Sequence, residues 1–514
     1  MSADSRAACI IGVARHTWHP GDDEVVGAGG SAPEPLDMWE QVTRAAAADA
    51  GEGVGTGAKD AAAAAVLAGL ESIDVVYSQS WQYDDAVARL AGRLGVTPAR
   101  RRYSGIGGSV PLVLATKAAQ EVRAGHLDLA LITGAEALAT VRRLKKAGER
   151  PQWSHRPAEK RPFPMDMEFE PTEISHAVFE AYLTFALFDT ARRGHLGRAV
   201  DAHRSALGRV MAPMTEVAAR SPYAWFPVAR SADEIATATA DNRLVASPYT
   251  KLMTSIMDVD MAAALVLASE EKADALGVPA DRRVYLRGWS YAEDPAHVAG
   301  HPDLWRSPAM AAAAGAALAG AGIGVDDVAY LDLYSCFASS VCFALDALGI
   351  AEDDARASAV TQTGGLPYHG GPGSNYMTHS IAAMVEALRA DPDAHGLVSG
   401  VGMHMQKHAY GVLSADPGTG VVADAAGYEA AEGPRPIVAS PEGAATVAAY
   451  TVLHGRDGAP ERALLVCDVA NAGARCYAQL EGGSDTLAQT EAEELVGRSI
   501  RLRPEGGLNL AHLD

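Results

Sequence analysis

The hydrophobic positions of the chain repeat with two periods, one typical of buried strands and one typical of helices packed on them. Continuous apolar runs predict strands at 8–13, 73–77 and 129–133. Apolar residues at helical spacing between 110 and 125 predict a helix just before the last of these strands. The alternation extends over most of the chain and predicts an α/β fold in which helices cover a sheet.

The order Gly-rich turn, helix, strand occurs twice along the chain. The first copy starts at Gly108 and its strand reaches Gly134, and the second starts in GGPGS and its strand reaches Gly400. The spacing from Gly108 to Gly134 nearly equals that from Gly373 to Gly400. This repeat indicates duplication of one α/β half, with a chance match of two common units as the alternative.

Residues 140–245 interrupt the alternation with the basic stretch RRLKKAGERPQWSHRPAEKRP and two helical segments, and we interpret them as an inserted region. A stretch rich in Pro, Gly and acidic residues later predicts a linker. Short strand-like runs after it predict a small β-barrel or OB-like unit. The predicted parts are an N-terminal half with the insertion, a C-terminal half, a linker and a β domain, at 1–285, 286–415, 416–440 and 441–514.

The charge of the chain argues against two classes of partner. Its 514 residues carry 43 Lys and Arg against 64 Asp and Glu, a formal net charge of −21, which repels nucleic acid phosphates and anionic lipid. The five cysteines form no CxxC pair, and the apolar run near the N-terminus is too short for a signal peptide. We therefore expect a cytoplasmic protein without nucleic acid or membrane partners.

The segment YSGIGGSVPLVLATKAAQEVRAGHLDLALITGAEA, 103–137, begins with a Gly-rich turn at a helix N-terminus, where backbone N–H groups stabilise an anion. It resembles the thiolase segment that reads Cys-x-x-Gly, helix, and strand to GxE. The resemblance places the nucleophile at Gly108, or at Ser109 with a one-residue slip. A serine there needs an adjacent base to act as a nucleophile, and a helix N-cap role for Ser109 is the alternative.

The segment YLDLYSCFASSVCFALDALGI, 330–350, resembles the HDCF segment of the sterol-carrier type of thiolase. Tyr334 stands where that family has His, as in thiolase-like aldolases. A tyrosine hydroxyl can donate a hydrogen bond to a substrate carbonyl. The alternative is a tyrosine that simply packs at a strand end.

The segment TQTGGLPYHGGPGSNYMTH, 361–379, resembles the thiolase segment that carries the catalytic His. The position of that His is Gly371, and His369 lies two residues upstream, within reach of the same space from a displaced loop. Asn375 and Tyr376 would begin the next helix, where their polar groups could meet a ligand. The alternative is a Gly-rich turn with an exposed His369.

The segment GLVSGVGMHMQKHAYGVLS, 396–414, resembles the closing strand and loop that carries the thiolase acid/base Cys. That position is Gly400 here. His404 and His408 are four residues apart, and because no third ligand follows at metal spacing we expect no metal site. We interpret His404 as polar surface or pocket lining.

These segments follow the thiolase order over about 5–415. Together with PYTKLM, YHGGPG and the C-terminal domain, they resemble the thiolase-like proteins of type 1. The resemblance implies a duplicated thiolase fold with αβαβα layers, an inserted loop domain and a C-terminal OB-like domain. It also implies coenzyme A phosphates at Arg142 and Arg143 and its adenine on Trp153, with a solvated loop as the alternative.

The implied function is acyl-CoA binding of the acyltransferase type, with no tightly bound cofactor and a homodimer through the core. Tyr334, His369 and Ser109 are the candidate catalytic residues. Because three catalytic positions of the family are glycine, we expect ordinary thiolase activity to be low or absent. The alternatives are a carbon–carbon lyase or aldolase acting on a CoA thioester through Tyr334, Tyr376 and His369, and a non-catalytic CoA-ester binding or scaffold protein.

Overall fold

The computed structural model describes residues 6–52, 59–165, 169–417 and 433–513 of the chain. Its strands are β1 (Ala8–Thr17), β2 (Ser72–Val75), β3 (Arg100–Tyr103), β4 (Leu129–Ala137), β5 (Leu244–Ala246), β6 (Tyr249–Thr250), β7 (Asp260–Ser269), β8 (Val284–Glu293), β9 (Val328–Asp332), β10 (His395–Gly402), β11 (Lys407–Ser414), β12 (Gly443–His454), β13 (Pro460–Val469), β14 (Ala474–Leu480), β15 (Ser499–Glu505) and β16 (Leu508–Leu513). Its helices are α1 (Asp23–Gly27), α2 (Pro35–Ala50), α3 (Lys59–Ala68), α4 (Ala86–Leu94), α5 (Val110–Arg123), α6 (Leu138–Lys146), α7 (Pro171–Ser175), α8 (Ala181–His195), α9 (Val200–Arg220), α10 (Ala232–Ala236), α11 (Glu270–Ala275), α12 (Pro308–Ala321), α13 (Ala338–Leu348), α14 (Tyr376–Ala390) and α15 (Ser484–Ala492).

Nine strands form one sheet in the order β3-β2-β4-β7-β1-β8-β11-β10-β9. In its first half β1 and β4 lie antiparallel to β7, and β2 lies parallel to β4. In its second half β8 and β10 lie antiparallel to β11, and β9 lies parallel to β10. Counted outwards from the centre, the order β1-β7-β4-β2 of the first half matches the order β8-β11-β10-β9 of the second, and the halves join at β1 and β8 through Cys9 and Ile10. The predicted duplication is therefore confirmed.

Two equivalent helices, α5 and α14, pack against each other at the centre of the molecule. Both follow a Gly-rich turn, and α5 begins with Pro111 in its first turn, where the missing N–H of proline costs nothing. Most side chains of α14 from Tyr376 to Val385 are buried, as expected for a helix covered on several sides. The N-termini of both helices consequently lie between the halves, where their preceding loops can meet.

The inserted region carries the helices α6 to α10, and the short strands β5 and β6 follow at its end. Helix α8 is its most buried element, and Phe185 on this helix packs against Phe337 with ring centroids 4.6 Å apart. On the other side of α8 the hydroxyl of Thr190 donates to the carbonyl of Tyr450, at 2.7 Å. Arg193 donates to the hydroxyl of Tyr450, at 2.6 Å. Helix α8 therefore lies between the core built on the nine-stranded sheet and the C-terminal domain.

The C-terminal domain is a closed five-stranded barrel in which β12, β13, β14, β16 and β15 pair in that circular order. This confirms the predicted small β-barrel, although β16 was not predicted as a strand. Outside the barrel β5 extends the sheet, since Ala246 pairs with Leu453 of β12. Residues 418–432 of the predicted linker lie outside the described residues. In the described part of the chain no helix is long and apolar enough to cross a bilayer.

Candidate functional site

A cavity of about 400 Å³ lies where loops of the two halves meet the inserted region. Gly108, Tyr334 and Gly371, three positions singled out from the sequence, line it together. We call it the acyl cavity. Its further lining residues are Glu180, Ala181, Tyr182, Phe185, Val245, Thr254, Ser255, Met257, Cys336, Phe337, Leu366, Gly373, Val401 and Met403.

Gly108 leaves no room for a side chain. A Cβ atom on this residue would lie well under 3.0 Å from both the hydroxyl of Tyr334 and the carbonyl oxygen of Val401. The phenol of Tyr334 thus fills the space into which a nucleophile at position 108 would extend. The glycine is required by packing, and position 108 cannot supply a thiol or hydroxyl in this arrangement.

Gly371 is likewise required by packing, in this case against Ser255, which the sequence analysis did not identify. A Cβ atom at position 371 would collide with the Oγ of Ser255. The backbone N–H of Ser255 donates to the carbonyl of Cys336 at 2.8 Å, which holds the serine against the second half. Ser255 belongs to an irregular segment after β6, and nothing in its sequence indicated that it faces the loop of Gly371.

Gly400, the third of these positions, packs directly on Ser109. A Cβ atom at position 400 would lie 2.8 Å from the Cα of Ser109. Ser109 immediately precedes α5 but makes no side-chain capping bond. It is 3% exposed and lines a separate cavity of about 540 Å³ that also contains Trp289 and Lys407. The structure therefore does not bring Ser109 and Tyr334 to one cavity, and no base among the described residues is hydrogen-bonded to the Ser109 hydroxyl.

The backbone of Tyr334 is fixed from two sides. Its N–H donates to the Oγ of Ser399 at 3.0 Å, and its carbonyl accepts from the Oγ of Ser340 at 2.8 Å. Among the described residues its own hydroxyl has no hydrogen-bond partner, and burial raises the pKa of the phenol well above its usual value. Tyr334 therefore presents a protonated hydroxyl to the acyl cavity, as a donor rather than a base.

Behind the cavity wall, Tyr376 packs on this tyrosine and Asn375 joins the two halves. The side-chain amide of Asn375 donates to the carbonyl of Gly134 at 2.8 Å and so ties the two halves together. The ring of Tyr376 lies edge-on to Tyr334, with centroids 5.6 Å apart, and its hydroxyl donates to Asp332 at 3.3 Å. Both residues are fully buried, and neither lines the acyl cavity.

The two histidines predicted near the site lie elsewhere. His369 is completely buried, so the alternative of an exposed histidine is wrong, and its Nε2 lies 3.4 Å from the Nδ1 of His379. Burial lowers the pKa of His369 to about 3, so this ring is neutral at physiological pH. His404 packs against Phe169, at 5.8 Å between centroids, and burial lowers its pKa as well. Neither His369 nor His404 lines the acyl cavity.

The other side chains that line the acyl cavity are mostly apolar. Cys336 brings a thiol to it, but burial raises the pKa of this thiol to about 12, so it stays protonated. Glu180 is the charged residue of the described lining, and its side chain is exposed. Met403 adopts a left-handed backbone conformation with φ of 53°, which is uncommon for a non-glycine residue. The wall thus combines aromatic and aliphatic groups with the hydroxyls of Tyr334 and Ser255.

The residues predicted to hold coenzyme A are engaged within the protein. Arg142 forms an ion pair with Asp258, and Arg143 donates to the hydroxyl of Ser31. Trp153 packs edge-on against Trp81, with ring centroids 5.6 Å apart. None of the three lines the acyl cavity.

Residues 430–507 match the family model of the thiolase-like protein type 1 additional C-terminal domain. A comparison with curated proteins found no match. Two solved structures share the fold at low identity. The Ltp2-ChsH2(DUF35) aldolase is 17% identical, with 80% of this chain and 98% of that chain covered and a TM-score of 0.57. The acetyl-CoA acetyltransferase from Syntrophomonas wolfei is 16% identical, with 80% and 99% covered and a TM-score of 0.54.

A third solved structure resembles the chain from end to end. It is a monomeric SCP2-thiolase-like protein type 1 from Mycobacterium smegmatis, 30% identical, with 100% of both chains covered and a TM-score of 0.83. The predicted duplicated thiolase fold is thereby confirmed. Identity of this extent over both full lengths, with the added C-terminal domain in place, shows that the chain belongs to the SCP2-thiolase-like proteins of type 1.

Proposed function

We propose that the protein binds an acyl thioester of coenzyme A, with the acyl group in the acyl cavity, and that it forms no acyl-enzyme by the thiolase route. The observation that carries this proposal is the packing of Tyr334 against Gly108. A thiolase needs a nucleophile at the helix N-terminus, and here a phenol fills that space.

The shape and polarity of the acyl cavity support binding of a small apolar group. A volume of about 400 Å³ falls within the range of small-molecule sites. The protonated phenol of Tyr334 and the hydroxyl of Ser255 supply donors for a thioester carbonyl. Phe185, Phe337 and Leu366 offer apolar contacts to an acyl chain.

Transfer of the acyl group to another residue of this cavity is disfavoured, because the available thiol is protonated and has no adjacent base. Cys336 brings a thiol to the cavity, but burial raises its pKa to about 12, so the thiol is protonated at neutral pH. Nucleophilic catalysis also needs an adjacent base. No histidine lines the cavity within the described ranges.

A carbon–carbon lyase is a second candidate, favoured by the unpartnered hydroxyl of Tyr334 and by the fold shared with the Ltp2-ChsH2(DUF35) aldolase. Cleavage of a β-hydroxyacyl thioester removes the proton of the hydroxyl group and breaks the Cα–Cβ bond. The electron pair then reaches the thioester oxygen as an enolate, which Tyr334 and Ser255 would stabilise before the α-carbon is protonated. Because Tyr334 is a donor here, the first step would depend on the exposed carboxylate of Glu180 as its base, and thioester binding is the better supported function.

The homodimer that the resemblance implies would need an accessible surface of the core. The outer strand β3 of the nine-stranded sheet presents the exposed side chains of Arg100, Arg101 and Arg102. Arg100 pairs with Glu121 and Arg102 with Asp74, so Arg101 is the like charge that two such edges would bring together, which opposes pairing. The proposed functional unit is therefore one chain, in the cytoplasmic location expected from the unpaired cysteines.

The test is titration of the whole protein with acetyl-CoA, acetoacetyl-CoA and longer acyl-CoAs by calorimetry, followed by intact-protein mass spectrometry and product analysis. We expect saturable binding, no adduct and no thiolysis. An acyl adduct on Cys336 or Ser109, or saturable thiolysis, would refute the proposal. Cleavage of a β-hydroxyacyl-CoA without an adduct would instead establish the lyase.

A further inference from the structure

The lining of the acyl cavity carries a single charge. Glu180 supplies this charge, and within the described ranges no Lys, Arg or His lines the cavity. Glu180 is the N-cap residue of α8, so its side chain lies where that helix begins. It is exposed and forms no ion pair with a described residue. An acyl group that enters the cavity therefore meets one negative charge and no positive charge among the described lining residues.

Two cations lie near this rim but are held by the backbone. Arg243 and Arg462 are both close to Tyr182, which lines the cavity. Each guanidinium donates to a backbone carbonyl oxygen at 2.7 Å. Neither arginine lines the cavity, and the carboxylate of Glu461 lies near the same tyrosine. These arginines are consequently not placed to receive a carboxylate inside the acyl cavity.

Two aromatic rings in contact, those of Phe185 and Phe337, form part of the wall of the acyl cavity. Tyr249 stacks on Phe337, with centroids 5.6 Å apart and 25° between the ring planes. The hydroxyl of Tyr249 donates to the carbonyl of Phe185 at 3.0 Å, and Tyr249 is completely buried. Because the three residues hold one another in a close-packed core, this part of the wall is a fixed boundary for the acyl group.

We propose that the acyl cavity admits short, uncharged acyl groups, and that Glu180 and Phe185 are the residues that determine this specificity. The inference rests on the proposed function, because it concerns the acyl group of the same thioester. The volume of about 400 Å³ lies near the lower end of the range of small-molecule sites. A terminal carboxylate on the acyl group would lose its hydration against the apolar wall and would be repelled by Glu180. A long chain would meet the ring of Phe185.

Selection by charge is tested with butyryl-CoA and succinyl-CoA, whose acyl groups have the same number of carbon atoms. Calorimetric titration of the full chain should show that succinyl-CoA binds at least about 10-fold more weakly. Glu180→Gln should narrow this difference by about 3- to 10-fold, and the effect of the substitution should shrink at high salt. Glu216→Gln, an exposed glutamate of α9 outside the cavity lining, is the matched control and should leave the difference unchanged.

Selection by length is tested with a series of saturated acyl-CoAs from acetyl-CoA to palmitoyl-CoA. Affinity should rise about fourfold for each CH₂ group that enters the cavity and should stop rising once the chain reaches Phe185. Phe185→Leu should move this limit to longer chains. Phe188→Leu is the matched control, because Phe188 is equally buried on α8 but does not line the cavity, and it should leave the limit unchanged.

Thermal unfolding of each variant verifies that it is folded, and the two titrations of the unmodified protein decide the matter if Phe185→Leu does not fold. Equal affinity for butyryl-CoA and succinyl-CoA, or a gain in affinity that continues to palmitoyl-CoA, would overturn this inference while leaving thioester binding in place. Equal effects of the two glutamate variants, or of the two phenylalanine variants, would overturn the assignment of Glu180 or Phe185. Failure of every ester to bind would overturn both this inference and the proposed function.

Discussion

Substitution of Gly108 by Ala tests whether the glycine is required by packing. The added methyl group would meet the hydroxyl and Cζ of Tyr334 and the carbonyl oxygen of Val401, all well under 3.0 Å away. The tyrosine ring can shift, but Val401 lies in β10, paired with His408 of β11. Overpacking of a well-filled site lowers the free energy of unfolding by about 1–3 kcal/mol. Because the added methyl group would collide with the backbone, we expect a loss near about 3 kcal/mol. Because the entropy of unfolding scales with chain length, each kcal/mol shifts the melting midpoint of a chain this long by roughly 1 °C, so the midpoint should fall by about 3 °C.

Gly105→Ala in the same loop is the matched control, because the nearest atom to its Cβ is the carbonyl oxygen of Pro164 at 4.0 Å. We expect this variant to unfold within about 1 °C of the unmodified protein. Scanning calorimetry of both variants measures the difference, and Gly108→Cys, assayed with acetoacetyl-CoA, should show no thiolysis. Equal midpoints for the two alanine variants, or thiolysis by Gly108→Cys, would refute the reasoning.

Three further predictions concern Tyr334, the buried Glu136 and the arginines of the sheet edge. Tyr334→Phe should leave the melting midpoint unchanged, since its hydroxyl lacks a partner within the described protein. It should weaken acyl-CoA binding about 2- to 10-fold by calorimetry, and unchanged affinity would contradict the donor role. Burial raises the pKa of Glu136 to about 7, so its stabilising contribution is complete at low pH and is lost as pH rises through about 7. Urea unfolding should show the free energy of unfolding falling as pH rises from about 4.5 to about 7, with up to about 1.4 kcal/mol per pH unit from this one group, and Glu136→Gln should make that slope shallower. Light scattering should give one chain of 53.5 kDa, and replacing Arg101 and Arg102 by Thr should allow association, whereas an unmodified dimer would contradict the edge argument.

The sequence alone identified three residues that line the acyl cavity, but it did not identify Ser255. Gly108, Tyr334 and Gly371 could be found because each belongs to a recognisable segment at the start of a helix or the end of a strand. Ser255 could not, because it reaches the cavity from an irregular segment more than 100 positions from Gly371 in the chain. His369 was expected near the cavity, but the turn before α14 places it against His379 instead. Residue spacing alone does not determine which way a loop side chain points.

Strand prediction succeeded where the apolar run was continuous and failed where it was short. β1, β2 and β4 were predicted because their buried residues are consecutive. β16 alternates buried and less buried positions over six residues after Gly507, so it has little hydrophobic signal. β5 is three residues long and exists as a strand through its pairing with β6 and a single residue pair with β12.

The contacts of α8 couple the barrel to the acyl cavity in thermodynamic terms. One side of α8 supplies Phe185 to the cavity, while Thr190 and Arg193 are held by Tyr450 of the barrel. A ligand that needs α8 in this position must therefore stabilise the barrel as well. At 100 times its dissociation constant such a ligand adds about 2.7 kcal/mol to the unfolding free energy. Protection of the C-terminal domain from proteolysis would consequently report on occupancy of a cavity that the protease never reaches.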